Sequence, residues 1–164
     1  MKITKFDKVT YDQFSKDYIS IFNKEPNIDI YNNIKLPKRA TKGSAGYDFM
    51  MPIDISLQSN SQIIIPTGIR CKIDDGYVLC VYPRSSLGFK YNMSLANTVG
   101  IIDSDYYNTP NQGHIMIKIV NNSKELLTIK TNDNFVQGIF LAYGITIDDD
   151  VSNQRVGGIG STNQ

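Results

Sequence analysis

The stretch PTGIRCKIDDGYVLCVYPRSS, residues 66–86, carries the pattern from which we predict the fold. In residues 69–73 apolar side chains alternate with Arg70 and Lys72, which is the period of a strand with one buried face. The run YVLCVY that follows, residues 77–82, is apolar on both faces and predicts a more central strand. Glycine-containing turns, PTG and DDG, precede the two runs. We therefore expect neighbouring strands joined by short turns.

The same alternation recurs on both sides of this stretch. Residues 53–57 and 115–119 carry isoleucine or leucine at every second position, which predicts two more half-buried strands. Turn sequences such as NNS, residues 121–123, separate the apolar runs at short intervals. Many short strands with turns between them predict an all-β domain, built as a sandwich, a jelly roll or a small barrel.

The N-terminal part of the chain follows a helical pattern instead. Four residues share one helix face: Tyr11, Phe14, Tyr18 and Ile21. Thr10 and Gln13 have the spacing of a capping box, and Pro26 marks the end of the helical stretch. We expect a short helix docked on the main body, and favour this over a helix that binds a partner.

Composition and charge limit the classes of function. The 164 residues are 41% hydrophobic, which predicts a single domain over residues 1–164 with its own core. A net charge of +1 argues against stable nucleic-acid binding. No apolar run approaches the roughly 18 residues of a membrane helix, and no signal peptide precedes the domain. We expect a soluble protein of the cytoplasm, or of a host cytoplasm if a virus or phage encodes it.

Cysteine and histidine usage narrows the chemistry further. Cys71 and Cys80 lie in apolar strand patterns and are predicted to be buried hydrophobic residues. His114 is the single histidine, which argues against a histidine triad or a multi-histidine metal site.

Four short segments carry residue types that suit chemistry. In PRSSLG, residues 83–88, the arginine and two serines can hold an oxyanion, although a capped helix explains them equally well. In GIIDSDY, residues 100–106, two carboxylates can hold a metal, orient a water or act as a base, but a turn is the better interpretation in isolation. GGIGST, residues 157–162, and the aspartate of AGYD, residues 45–48, are weak in isolation. Together these features are what a triphosphate with Mg²⁺ requires.

The order of these motifs resembles that of the trimeric dUTP diphosphatases, or dUTPases. The five motifs are AGYDF, PRSSLG, LANTVGIIDSDY, DNFVQGIF and RVGGIGST, and the resemblance runs from Leu36 to Thr162. It implies a jelly-roll-like β-barrel with a flexible glycine-rich C-terminal arm over residues 151–164, and a variable N-terminal region over residues 1–35. It also implies a homotrimer whose subunits share each active site.

The resemblance assigns roles residue by residue. Asp103 matches the aspartate that activates the water attacking the α-phosphate, releasing dUMP and pyrophosphate from dUTP, which keeps uracil out of DNA. Asp48 matches an aspartate that reaches Mg²⁺ through water, the ion being held mainly by the triphosphate. Residues matching the uracil and deoxyribose site are Asn97, Gly100, Tyr106 and Ile159. Residues matching the phosphate site are Arg84, Ser85, Ser86, Gln137, Arg155, Gly160, Ser161 and Thr162.

The chain departs from the family pattern in three places. Ile159 replaces the usual phenylalanine, Arg155 lies one residue nearer the double glycine, and the loop after Tyr106, residues 107–113, is longer. Two alternatives stay open. One is a dCTP deaminase or bifunctional deaminase–diphosphatase, although its glutamate is absent from the motifs. The other is an added regulatory role through a protein partner.

Overall fold

The computed structural model describes residues 4–153, 155 and 157, which form a strand-rich domain with few helices. The described strands are β1 (Thr4–Lys8), β2 (Lys38–Arg39), β3 (Tyr47–Met50), β4 (Ile55–Leu57), β5 (Gln62–Pro66), β6 (Ile69–Ile73), β7 (Tyr77–Pro83), β8 (Ser94–Leu95), β9 (Gly100–Ile102), β10 (Met116–Val120), β11 (Leu127–Ile129) and β12 (Asn134–Ala142). The described helices are α1 (Tyr11–Phe22), α2 (Ile28–Asn32), α3 (Ser85–Tyr91) and a 3₁₀ helix (Ser104–Asn108). The prediction of an all-β fold with a short N-terminal helix is confirmed.

The largest sheet has the strand order β2-β3-β12-β7-β9, and its neighbouring strands are antiparallel. Strand β7, predicted from YVLCVY, lies between β12 and β9, and its residues 79–81 are buried. The predicted central position is therefore confirmed. Smaller sheets pair β1 with β6, β11 with β4, and β10 with both β5 and β8.

The core lies between these sheets because the alternating strands point their apolar side chains inward. In β6 the buried residues are Ile69, Cys71 and Ile73, as predicted. Phe49 and Phe135 are among the largest fully buried side chains. Both cysteines are buried and free, which also agrees with the prediction.

Helix α1 packs its apolar face against the main body. Phe14 and Tyr18 are buried, and the Phe14 ring centroid lies 6.2 Å from that of His114. The helix ends at Phe22, before the predicted limit at Pro26, because Asn23 adopts a left-handed conformation with φ 52°. That cap donates its N–H to the Ile19 carbonyl oxygen, as helix C-terminal caps do.

The predicted capping box at the start of α1 is only half formed. Thr10 Oγ1 accepts the Gln13 backbone N–H at 3.3 Å, as predicted. The Gln13 side chain, however, donates to Asp17 at 2.8 Å. Gln112 takes its place, and its Oε1 accepts the Thr10 backbone N–H at 2.9 Å. A partner so distant in sequence cannot be predicted from local spacing.

Two further findings concern membrane-spanning helices and the C-terminal arm. No helix within residues 4–153 is long and apolar enough to span a bilayer. Most of the predicted C-terminal arm lies outside the described residues, so its mobility stays a prediction.

Candidate functional site

One set of predicted site residues gathers around the junction of β3, β12 and β7; we call it the arginine group. Asp48 in β3 lies opposite Gln137 in β12. Asp48 is buried, with 8% of its surface exposed. Its carboxylate accepts a hydrogen bond from Asn134 Nδ2 at 3.3 Å and lies 3.7 Å from Arg84 Nε. A side chain at Gly46 would collide with Gln137 Oε1, so this glycine lets Gln137 lie against the AGYD turn. The arginine group comprises Asp48, Arg84, Ser85, Ser86 and Gln137.

Helix α3 supplies the anion-binding part of the arginine group. Arg84 precedes the helix in an extended conformation, and its backbone N–H donates to the Phe135 carbonyl oxygen at 3.2 Å. Ser85 and Ser86 are exposed in the first turn, where backbone N–H groups have no acceptor within the helix. An open depression of about 530 Å³ adjoins Arg84 and Ser85. Guanidinium, hydroxyl and free N–H groups in one place suit a phosphate.

A second set of predicted residues lies around strand β9; we call it the hairpin group, comprising Asn97, Gly100, Asp103 and Tyr106. Gly100 pairs with Val81 in β7, and a Cβ at Gly100 would lie 3.2 Å from the Val81 Cβ, which is too tight for most side chains. Asn97 is exposed, and lines a pocket of about 450 Å³ between α1 and β10. The hairpin therefore presents an amide side chain beside a concave surface.

The turn between Asn97 and Gly100 is strained. Thr98 has φ 67°, in the left-handed region that β-branched residues rarely adopt. The Val99 backbone N–H donates to the Asn97 carbonyl oxygen at 2.7 Å, which closes the turn. Such strain persists where surrounding structure enforces it, often at functional sites. Thr98 is a residue that the sequence did not single out, because φ is not visible in a sequence.

Asp103 lies at the start of the 3₁₀ helix with a side chain 47% exposed. Arg155 Nη2 is 2.5 Å from one oxygen of Asp103, and Arg155 Nε donates to Asp105 at 2.8 Å. The arginine predicted to bind phosphate thus contacts the predicted catalytic carboxylate. Asp105, a second carboxylate of the motif that was not assigned a role, is the other half of this contact.

Tyr106 is the buried member of the hairpin group, with 5% of its surface exposed. Its hydroxyl donates to the His114 carbonyl oxygen at 2.8 Å and accepts from Asn111 Nδ2 at 2.9 Å. Burial raises the pKa of Tyr106 despite the Asn111 hydrogen bond, so the hydroxyl stays protonated at neutral pH. The Arg155 guanidinium carbon lies 5.7 Å from the ring centroid.

The two groups lie far apart on the same sheet. Asp48 lies opposite Gln137 of β12, and Gln137 lies opposite Tyr82 of β7. Asp103 follows Ile102, whose partner in β7 is Leu79. Three strand spacings of about 4.8 Å and four residues of about 3.3 Å therefore separate the two aspartates, a diagonal of roughly 20 Å. A triphosphate group alone is shorter than this separation.

The remaining predicted site residues are not described. Ile159, Gly160, Ser161 and Thr162 lie outside the described residues, so their roles stay predictions.

The described residues fit an ion held mainly by its substrate. They contain no cluster of three or more histidine, cysteine, aspartate or glutamate side chains that could hold a metal by itself. Mg²⁺ bound to phosphates needs few protein carboxylates and keeps several waters. Asp48, buried and adjacent to Arg84, suits contact through such a water.

Fold and site together define a class: a strand-rich domain with an anion-binding group and a separate carboxylate-bearing hairpin. A family model described as dUTPase matches residues 32–163. The deoxyuridine 5'-triphosphate nucleotidohydrolase of Lactococcus lactis is 39% identical over 132 residues, which cover 79% of this chain and 88% of the relative. The chain belongs to the dUTPase family.

Solved structures give the same result for the fold. The crystal structure of the dUTPase from Streptococcus mutans has a TM-score of 0.66 and 30% identity, and the match covers 86% of this chain and 97% of that one. A mutant dUTPase from phage phi11 of S. aureus, described with a structural Mg(II) ion, has a TM-score of 0.64 and 17% identity. That match covers 93% of this chain and 98% of the phage protein. The predicted jelly-roll fold is confirmed by these likenesses.

Proposed function

We propose that this protein hydrolyses dUTP to dUMP and pyrophosphate. The names of its relatives support this reaction. The observation that carries the proposal is the position of Asp103, a half-exposed carboxylate directly after the base-side hairpin and close to Tyr106. A carboxylate that water can reach, beside a surface for a nucleoside, is what attack on an α-phosphate needs.

Asp103 is the catalytic residue in this proposal. Its carboxylate orients a water molecule and takes its proton as the water attacks the α-phosphate. Pyrophosphate leaves with the electron pair of the broken P–O bond. Arg155, which contacts Asp103, places its positive charge next to the phosphate under attack. Asn97 and the hairpin backbone bind uracil, and the Tyr106 ring lies under the deoxyribose.

The arginine group binds the triphosphate. Arg84, Ser85 and Ser86 offer a charged fork, hydroxyls and helix N–H groups, and Gln137 adds an amide. Mg²⁺, when bound, neutralises charge on the phosphate oxygens. Asp48 holds its hydration water from a fixed position, because Asn134 and Arg84 restrain the carboxylate.

Each active site is assembled between copies of the chain. The roughly 20 Å between Asp48 and Asp103 supports this, since the arginine group of one copy must meet the hairpin group of another. We propose a homotrimer, as in the family that the sequence resembles. An isolated chain is then inactive.

A substrate panel tests the proposal. The purified protein is given dUTP, dCTP, dTTP and UTP with Mg²⁺, and pyrophosphate release and deamination are measured. We expect pyrophosphate from dUTP alone, and a loss of roughly 10²- to 10⁴-fold in kcat for Asp103→Asn, since a general base contributes about that much. Deamination of dCTP, or turnover that survives Asp103→Asn, would sink the proposal. The residues around Asn97 include no glutamate, which speaks against deamination.

A further inference from the structure

The long loop, which departs from the family pattern, contacts the variable N-terminal region in the structure. The long loop, residues 107–113, joins the 3₁₀ helix to β10, and the N-terminal segment, residues 4–22, contains β1 and α1. Gln112 bonds Thr10 twice: its Oε1 accepts the backbone N–H at 2.9 Å and its Nε2 donates to Oγ1 at 3.0 Å. The Tyr107 hydroxyl donates to Asp7 at 3.0 Å. The N-terminal segment therefore holds the long loop along its length.

A third connection runs from α1 through a buried histidine. His114, which is fully buried, accepts the Gly68 backbone N–H at its Nε2 at 2.8 Å. Because a backbone N–H can only donate, the imidazole proton lies on Nδ1, 2.5 Å from Asp17 Oδ2. Burial alone would raise the pKa of Asp17, but hydrogen bonds from His114 and Gln13 outweigh it and lower that pKa. The carboxylate therefore stays charged and keeps His114 fixed.

Two residues of the long loop and its end, Asn111 and His114, contact the Tyr106 hydroxyl directly. The Tyr106 hydroxyl donates its only proton to the His114 carbonyl oxygen, so the Asn111 atom 2.9 Å from the phenol oxygen is the donor Nδ2. Asn111 Oδ1 then faces Thr109 Oγ1 at 2.6 Å. The His114 carbonyl oxygen accepts the Tyr106 hydroxyl from the other side. Gly113, with φ 67°, has no room for a side chain, since a Cβ would lie 2.7 Å from the Tyr106 carbonyl oxygen. Both hydrogen-bonding capacities of the phenol are thus filled by the long loop and its end.

We propose that Asn111 is a positioning residue for the discrimination between dUTP and UTP. This inference rests on the proposed function, because it assigns a task to the Tyr106 ring under the sugar. A ring excludes a 2′-hydroxyl by contact only if it cannot move away, and Asn111 prevents that movement. The N-terminal segment keeps Asn111 in place by holding the loop. The long loop and the variable N-terminal segment then act together in sugar selectivity.

The test compares kcat/KM for dUTP and for UTP in wild type, Asn111→Ala and the control Asn108→Ala. Asn108 is an exposed residue near the start of the same loop, with no side-chain hydrogen bond among the described residues. Loss of a buried hydrogen bond of about 1.4 kcal/mol corresponds to about a tenfold change. We expect Asn111→Ala to lower the dUTP/UTP ratio about tenfold and Asn108→Ala to leave it unchanged. A purely structural role would lower stability and both activities without changing the ratio, which would overturn the inference.

A double-mutant cycle with Tyr106→Phe shows whether Asn111 acts through the phenol. Asn111→Ala should lower the ratio in wild type and have no further effect once the hydroxyl is gone. An equal effect in both backgrounds contradicts the inference. If Asn111→Ala shows no cooperative unfolding, Gln112→Ala is tested in its place. We expect Gln112→Ala to lower the dUTP/UTP ratio by less, and an unchanged ratio would contradict the inference. Wild-type protein that fails to hydrolyse dUTP overturns the proposed function, whereas one that hydrolyses dUTP and UTP equally overturns only the inference.

Discussion

At the scale of single residues, the arginine group illustrates how neighbours restrain a functional side chain. Arg84 is set at the end of β7 by its backbone bond to Phe135, and its guanidinium lies beside the carboxylate of Asp48. The ion pair is long and partly exposed, so it adds little to stability. Its consequence is positional, because it keeps the Arg84 guanidinium beside Asp48, at the depression that Ser85 also lines.

Arg84→Ala should impair turnover while the fold survives. The lost group makes charge-assisted hydrogen bonds to phosphate, so we expect kcat/KM to fall roughly 10- to 100-fold. The unfolding midpoint in urea should stay close to that of wild type. Lys90→Ala, an exposed cation on the same helix, is the matched control and should keep full activity. Equal losses in both variants would show that net charge, rather than the guanidinium of Arg84, determines kcat/KM.

A second residue, Asp54, contributes to the change of folding stability with pH in acid. Its carboxylate accepts hydrogen bonds from the Thr131 N–H and hydroxyl and pairs with Lys130 Nζ at 3.0 Å, which lowers its pKa to about 2. The charged form is favoured in the folded state, so its contribution is present above pH 4 and is lost as the pH falls toward about 2.

Urea unfolding from pH 6 to pH 2 measures this contribution. Asp54→Ala should be less stable than wild type at pH 6, and the gap should narrow as the pH approaches 2. Asp148→Ala, at an exposed carboxylate, serves as control and should parallel wild type throughout. A gap that stays constant across the range would mean that the carboxylate charge plays no part.

At the scale of elements, local patterns predicted four of the twelve described strands, β4, β6, β7 and β10, and missed what depends on distant partners. Residues 69–73 and 77–83 form strands because alternation and turn residues agree there. The second half of the capping box failed because Gln112, distant in sequence, binds the Thr10 N–H. Helix α2 was not predicted, since its five residues are too few for a periodic pattern.

The C-terminal arm is an element whose role is a prediction. Deleting residues 155–164 removes Arg155, which contacts Asp103, together with the glycine-rich motif. We expect turnover of dUTP to be abolished while the oligomer persists, since the described core does not depend on these residues. Sedimentation gives the assembly and pyrophosphate release gives the activity. Full activity in the truncated protein would exclude the arm from the site.

At the scale of the whole molecule, the divided site is the feature that the sequence could not reveal by spacing alone. Residue types and motif order predicted the residues of the candidate site, and the family resemblance predicted a trimer. Only the strand order shows that Asp48, in β3, and Asp103, directly after β9, are separated by the two strands β12 and β7 of one sheet. In the proposed function, this separation makes oligomerisation a requirement for catalysis.

The most direct measurement is complementation between two inactive variants. Asp103→Asn and Arg84→Ala chains carrying different tags are co-expressed, and mixed oligomers are purified through both tags and assayed with dUTP. If each site takes its hairpin group and its arginine group from neighbouring copies, a mixed trimer of either composition restores about one of its three sites. We therefore predict activity well above that of either variant alone. Mixed oligomers no more active than the separate variants would contradict a site shared between subunits.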